Sequence, residues 1–217
     1  MKIFIIIIIL LFCLILYLVG KLYTRFKHDT INTNEVNKKL EEILVMDNKN
    51  PRISKKNIVI TLKKGDTTTN IELELFDSDL PITCKNFRSV AFNGLKNKTF
   101  KNTKVYGILK NKYALFGDIT NNNGSGEISL YGKNFIDESF AYKHTYAGTV
   151  SMVSRGDNTN TTKFLITTGP CPELDGNNVV FGKVVKGLYG LLSILDSETD
   201  NNNLPMEDIE ITQLRMI

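Results

Sequence analysis

A run of seventeen apolar residues near the start of the chain, from Ile3 to Val19, limits what this sequence can fold into more than any other feature. As a helix it would be about 26 Å long, close to the ~30 Å hydrocarbon thickness of a bilayer. It offers no polar face for packing on the surface of a soluble domain. We therefore predict that residues 3–19 cross a membrane and that residues 1–27, with the basic flank that follows the run, form a single-pass anchor.

A cleaved signal peptide is the alternative interpretation of the same run. Signal peptides usually have an apolar core of about 7–15 residues before a small-x-small cleavage site. The run here is longer, and its end offers only Gly20, with Leu18 two positions earlier, which favours an uncleaved anchor. The basic residues after the run favour a cytosolic domain by about one charge, so the charge distribution indicates only a weak preference for that side.

Residues 28–56 are polar and predict a stalk. Four of their apolar residues recur at helical spacing, namely Val36, Leu40, Ile43 and Leu44. Because a helix of about three turns is marginally stable alone in water, a short helix packed on a domain is favoured over a dimerising stem.

The excess positive charge of the chain lies in this N-terminal segment. Residues 1–56 contain ten Lys and Arg against five Asp and Glu, whereas residues 57–217 contain seventeen against eighteen. A nucleic-acid-binding domain would have the excess on its folded part, so no nucleic-acid partner is expected. Two histidines and three cysteines without close pairing, and no phosphate-binding glycine loop, lead us to expect neither a metal nor another cofactor.

Residues 57–217 predict a domain of short strands with two helices. The predicted strands are 57–63, 71–76, 105–109, 113–116, 148–153, 164–167, 179–185 and 209–214, and the predicted helices are 81–92 and 189–195. Ser78 or Asp79 is expected to cap the first helix, with Pro81 in its first turn. Many strands with few helices predict a closed antiparallel barrel with helices at its ends.

Within this domain, short blocks of residues occur at fixed spacing. They include Glu74-Leu75-Phe76, Asn86-Phe87-Arg88, Gly117-Asp118, Asn123-Gly124-Ser125-Gly126, Asp137-Glu138, Lys143-His144-Thr145, Ser151-Met152 and Val179-Val180-Phe181-Gly182-Lys183-Val184. Together they resemble the cyclophilin family of peptidyl-prolyl isomerases, in a register that holds without a gap from Val105 to Val184. The resemblance implies a mainly β fold with two helices, a closed eight-stranded antiparallel barrel capped by helices, here preceded by the transmembrane helix.

The resemblance also implies where the family's chemistry would take place. Cyclophilins lower the barrier to prolyl rotation, about 18–20 kcal/mol, with an arginine that hydrogen-bonds the twisted amide and an apolar pocket for the proline ring. The arginine position is Gly107 in this sequence. The other catalytic and pocket positions carry Lys112, Tyr113, Leu115, Lys163, Leu165 and Asn178. The peptide groove is assigned to Val153, Ser154, Arg155, Lys163, Glu173 and Leu174.

Because the arginine and most pocket residues are replaced, the catalytic site is expected to be degenerate. The predicted function is a membrane-anchored, cyclophilin-like module that binds a protein or peptide, or acts as a scaffold, without catalysis. The alternatives are a weak or atypical isomerase that assists folding, and a structural membrane protein whose domain serves assembly.

Four basic side chains align around the former pocket: Lys110, Lys112, Arg155 and Lys163. They are interpreted either as unrelated solvated residues or as a basic groove. A basic groove would hold an acidic peptide, a phosphorylated segment or an anionic head group.

Overall fold

The computed structural model of the protein describes residues 56–217. The predicted anchor, its orientation and nearly all of the predicted stalk lie outside the described residues. Among the helices within the described range, none combines the length and apolar character that crossing a bilayer requires.

The described chain forms eight strands and two α-helices. In chain order they are β1 (Ile58–Lys64), β2 (Thr67–Leu75), α1 (Pro81–Arg88), β3 (Gly107–Leu109), β4 (Tyr113–Phe116), β5 (Thr149–Met152), β6 (Phe164–Thr167), β7 (Val180–Lys186), α2 (Leu188–Leu195) and β8 (Ile209–Met216). A π-helical turn, Ser89–Asn93, extends α1, and a 3-10 turn, Pro172–Leu174, precedes β7. The predicted mainly β fold with two helices is confirmed, with boundaries shifted by a few residues.

The strands form one antiparallel sheet in the order β3-β4-β6-β5-β7-β2-β1-β8. The prediction of a closed barrel is wrong, because within residues 56–217 the two outermost strands, β3 and β8, form no ladder with each other. β3 is only three residues long, and the N–H of Ile108 donates to the carbonyl of loop residue Asn203 at 2.8 Å. The chain before β3 reaches β8 instead, where the N–H of Val105 donates to the carbonyl of Ile209 at 2.8 Å. The result is an open half-barrel.

The start of α1 differs from the prediction. The N-cap residue is Leu80, whose side chain makes no capping hydrogen bond. The carboxylate of Glu138 accepts the N–H of Ile82 at 2.9 Å and that of Thr83 at 2.8 Å, and it also accepts the Thr83 hydroxyl. A sequence pattern identifies a helix cap from residues next to the start of the helix, whereas Glu138 follows Ile82 by 56 positions. The pattern could therefore not predict this cap. Pro81 opens the first turn as predicted.

The core contains apolar side chains from every strand and both helices. Phe116 of β4 and Phe164 of β6 point into it and are fully buried. Since side chains alternate along a strand, Leu115 and Leu165 lie on the opposite face of the same two strands. That outer face of β3, β4, β6 and β5 carries the candidate site.

Replacing Glu138 with Ala should destabilise the domain. The substitution leaves two helix N–H groups and a threonine hydroxyl without their acceptor, which should lower the free energy of unfolding by about 1–3 kcal/mol. Urea unfolding of the full chain measures this change. Glu198→Ala, which removes an exposed carboxylate, serves as the matched control. Equal stability of the two variants would show that the carboxylate of Glu138 does not cap α1.

Candidate functional site

Four residues lie side by side across the outer face of the sheet. Gly107 of β3 pairs with Leu115 of β4, Leu115 pairs with Leu165 of β6, and Leu165 pairs with Ser151 of β5. The structure therefore brings together three of the residues that the sequence predicted for the catalytic site. Ser151 was not among them; it is buried, and its hydroxyl has no hydrogen-bond partner.

The side chain of Leu115 occupies the space in front of Gly107. A Cβ placed on Gly107 would lie 3.0 Å from Cδ1 of Leu115. Leu165, next in the row, is only 2% exposed. The centre of the site is therefore apolar, and position 107 supplies no side-chain hydrogen-bond donor.

The ammonium of Lys112 and the carboxylate of Glu173 form an ion pair. It joins the β3–β4 turn to the 3-10 turn Pro172–Leu174. Their mutual hydrogen bond raises the pKa of Lys112 and lowers the pKa of Glu173. Both side chains are about half exposed, so the ion pair contributes little to stability. It does neutralise the charge of Lys112, which the basic-groove interpretation treated as free.

The remaining predicted groove residues lie on the loops that follow β5 and precede β7. The hydroxyl of Ser154 donates to the carbonyl of Asn177 at 2.9 Å, and the side-chain amide of Asn178 donates to the carbonyl of Met152 at 2.9 Å. These bonds tie the two loops together beside Val153. Leu174 of the 3-10 turn is half-buried, and so is Tyr113, at the start of β4.

Lys163 and Arg155 meet at one backbone carbonyl. The ammonium of Lys163 donates to the carbonyl of Gly124 at 2.8 Å, and the guanidinium of Arg155 donates to the same oxygen at 3.0 Å. Lys163 is 3% exposed, and its pKa is lowered by burial and then by the charge of Arg155. Lys110 is not part of this cluster, because it lines a separate groove beside α2 with Tyr189.

Asp118 holds the loop that carries Gly124. One oxygen of its carboxylate accepts the backbone N–H groups of Thr120 and Asn121, each at 3.0 Å. The other oxygen accepts three further backbone N–H groups. These three come from Asn123, Gly124 and Gly126. Burial acts to raise the pKa of Asp118, but these backbone donors outweigh burial and lower the pKa below its ordinary value. The sequence resemblance included Asp118 without indicating this role.

Over residues 56–217, no three His, Cys, Asp or Glu side chains are grouped so as to hold a metal ion. The two cysteines in the described range, Cys84 and Cys171, are buried and unpaired with each other.

The family model described as "Cyclophilin type peptidyl-prolyl cis-trans isomerase/CLD" matches residues 58–216. The chain belongs to this cyclophilin family. Peptidyl-prolyl cis-trans isomerase H of Mycosarcoma maydis is 40% identical over 147 residues, covering 66% of this chain and 94% of that protein.

Two further cyclophilin relatives are longer proteins. Peptidyl-prolyl cis-trans isomerase 9 of Caenorhabditis briggsae is 37% identical over 149 residues, which cover 65% of this chain. Peptidyl-prolyl cis-trans isomerase cyp11 of Rhizopus delemar is 38% identical over 155 residues, which cover 68% of this chain. The cyclophilin chain described here spans only 47% and 46% of their respective lengths.

A solved cyclophilin has the same fold. The crystal structure of a cyclophilin type peptidyl-prolyl cis-trans isomerase from Cryptosporidium parvum aligns with a TM-score of 0.67 at 31% identity, covering 75% of this chain and 97% of that one. The same protein in the presence of the dipeptide ala-pro also aligns with a TM-score of 0.67.

Replacing Asp118 with Asn should destabilise the domain by about 2–4 kcal/mol near pH 7, because the amide cannot accept all five N–H groups as a carboxylate does. The lowered folded-state pKa means that Asp118 stabilises the fold above its ordinary value of 3.8, and this contribution is lost as pH falls below that value. Urea unfolding between about pH 7 and about pH 3 should therefore show a weaker acid dependence in the variant than in the wild type. Asp157→Asn, at an exposed position, should match the wild type at every pH.

Replacing Lys163 with Met should raise the stability of the domain. Burial disfavours the lysine charge, and Met keeps most of the apolar stem, so we expect the free energy of unfolding to rise by about 1 kcal/mol. Thermal unfolding near pH 7 should show this as a rise of about 2–4 °C. Lys101→Met, at an exposed lysine, controls for the lost charge. A lower melting temperature for Lys163→Met would mean that the ammonium stabilises the fold.

Proposed function

We propose that this protein is a membrane-anchored cyclophilin-like module that binds a protein or peptide and does not catalyse prolyl isomerisation. The observation that carries the proposal is the pair Gly107 and Leu115. In the family, an arginine at position 107 would donate to the twisted amide, whereas here the position has no side chain and Leu115 covers it. Losing one preorganised donor typically costs about 2.7–4 kcal/mol of transition-state stabilisation, a factor of one hundred or more in rate.

The surroundings of the proline pocket support the same proposal. Lys112 and Glu173 stand at pocket positions where a proline ring would require apolar walls, and they form an ion pair. A proline ring placed against this pair would remove water from two charges without replacing their hydration. Lys163 is a poor substitute for the arginine, because its ammonium is already bound to a backbone carbonyl and lacks the planar guanidinium fork.

The N-terminal apolar run supports the membrane part of the proposal. Its length suits a single crossing through residues 3–19, and the basic flank favours a cytosolic domain.

A weak isomerase that assists folding is the second candidate function. It is favoured by the names of the three sequence relatives described above, each of which is called a peptidyl-prolyl cis-trans isomerase. It is also favoured by the solved relative studied in the presence of ala-pro, which shares the scaffold.

A prolyl isomerisation assay on the full chain in a neutral detergent distinguishes the two candidates. We expect the wild type to leave the uncatalysed rate unchanged. The variant Gly107→Arg/Leu115→Gln/Lys112→Phe should regain turnover at least about tenfold above the wild type, because it restores a donor, space for that donor and one apolar wall.

Three substitutions are needed together, since an arginine alone at position 107 would meet the side chain of Leu115. Lys101→Phe, which changes an exposed lysine outside the site, is the control and should remain inactive. Wild-type turnover well above the uncatalysed rate would overturn the proposal and support the isomerase.

A further inference from the structure

Lys163 is a buried cation without a carboxylate partner. It is 3% exposed, and the only hydrogen bond formed by its ammonium within residues 56–217 is to the carbonyl of Gly124. An ammonium carries three N–H donors, so two remain for another acceptor. Burying a charge is costly unless it is paired, so an anion next to Lys163 would offset part of this cost.

No carboxylate within residues 56–217 forms an ion pair with Lys163. Arg155 donates to the same carbonyl and also faces Glu127 at 3.3 Å, but Glu127 is shared with Lys133. Asp118, the other nearby carboxylate, already accepts five backbone N–H groups. Three cations, Lys163, Arg155 and Lys133, therefore face two carboxylates, Glu127 and Asp118, and positive charge is in excess at this end of the groove.

A third donor without a partner belongs to a residue that packs on the same loop. The hydroxyl of Tyr106 is buried and has no hydrogen-bond partner. The Tyr106 ring packs against the same loop, because a Cβ placed on Gly124 would lie 2.7 Å from its Cε2. The ring of Tyr106 thus packs on Gly124, whose carbonyl accepts from both Lys163 and Arg155, and Tyr106 and Lys163 each have donors without a partner.

We propose that Lys163, Arg155 and Tyr106 form a binding site for an anionic group, a carboxylate or a phosphoryl group, on a side chain of a peptide held in the groove. The peptide part rests on the proposed function. The site adjoins the groove directly, since the N–H of Val153 donates to the carbonyl of Lys163 at 3.0 Å and Arg155 follows two residues later. The planar guanidinium of Arg155 suits the oxygens of a carboxylate or phosphoryl group, and the ammonium of Lys163 adds a compact positive charge.

Inorganic phosphate tests the anion site without any peptide. Thermal unfolding of the full chain in a neutral detergent should shift upward by about 2–4 °C in about 50 mM phosphate relative to chloride at equal ionic strength. Lys163→Met should lose this shift, whereas Lys101→Met should keep it. An equal shift in Lys163→Met and the wild type, or no shift in either, would overturn the proposed site.

Matched peptide libraries then test the ligand class. Three sets of nine-residue peptides have random flanks and differ only in a central Ser, Glu or phosphoserine. We expect the wild type to bind the Glu or phosphoserine set at least about tenfold more tightly than the Ser set, and Lys163→Met and Arg155→Gln to lose this preference. A preference for Glu identifies an acidic peptide, and a preference for phosphoserine alone identifies a phosphorylated one.

The two measurements separate failure of this inference from failure of the proposed function. Equal binding of all three sets would overturn the anion site but leave a peptide-binding module. Protection by phosphate without binding of any peptide set would support the anion site and contradict a peptide-binding groove.

Discussion

The fold depends on a cluster of buried phenylalanines centred on Phe164. Its ring centroid lies 5.1 Å from that of Phe87 and 5.3 Å from those of both Phe100 and Phe116. Phe87 also contacts Phe181, so the cluster joins α1 to strands β4, β6 and β7. Each aromatic pair adds about 0.5–1.5 kcal/mol beyond the burial of its area. A slip of one residue in strand register would turn every side chain of that strand to the other face of the sheet. By fixing the register, the phenylalanine cluster also determines which side chains lie on the outer face that carries the candidate site.

The outer face of the sheet is filled by complementary side chains. Leu115 occupies the space in front of Gly107, and Lys112 pairs with Glu173. Both contacts lie at positions where the family resemblance places catalytic and pocket groups. Because function depends on a site and not on the fold as a whole, a cyclophilin fold can be kept while the residues on this face differ.

Much of the fold could be predicted from local patterns, and the errors have a common cause. The strand runs of β1 and β8 and the position of Pro81 at the start of α1 depend on neighbouring residues, and those predictions were confirmed. Capping of α1 by Glu138 and the open edge between β3 and β8 depend on residues far apart in the chain. No spacing in the sequence encodes either contact.

For the site, the sequence alone determined which residue types occupy the groove, including the absence of an arginine at position 107. It could not determine how those residues would pair. Only the tertiary structure decided that Lys112 is neutralised by Glu173 while Lys163 is buried against the carbonyl of Gly124. The physical reason is that charge type belongs to the residue, whereas burial and the choice of partner depend on loops that are brought together only when the sheet and its phenylalanine core have formed.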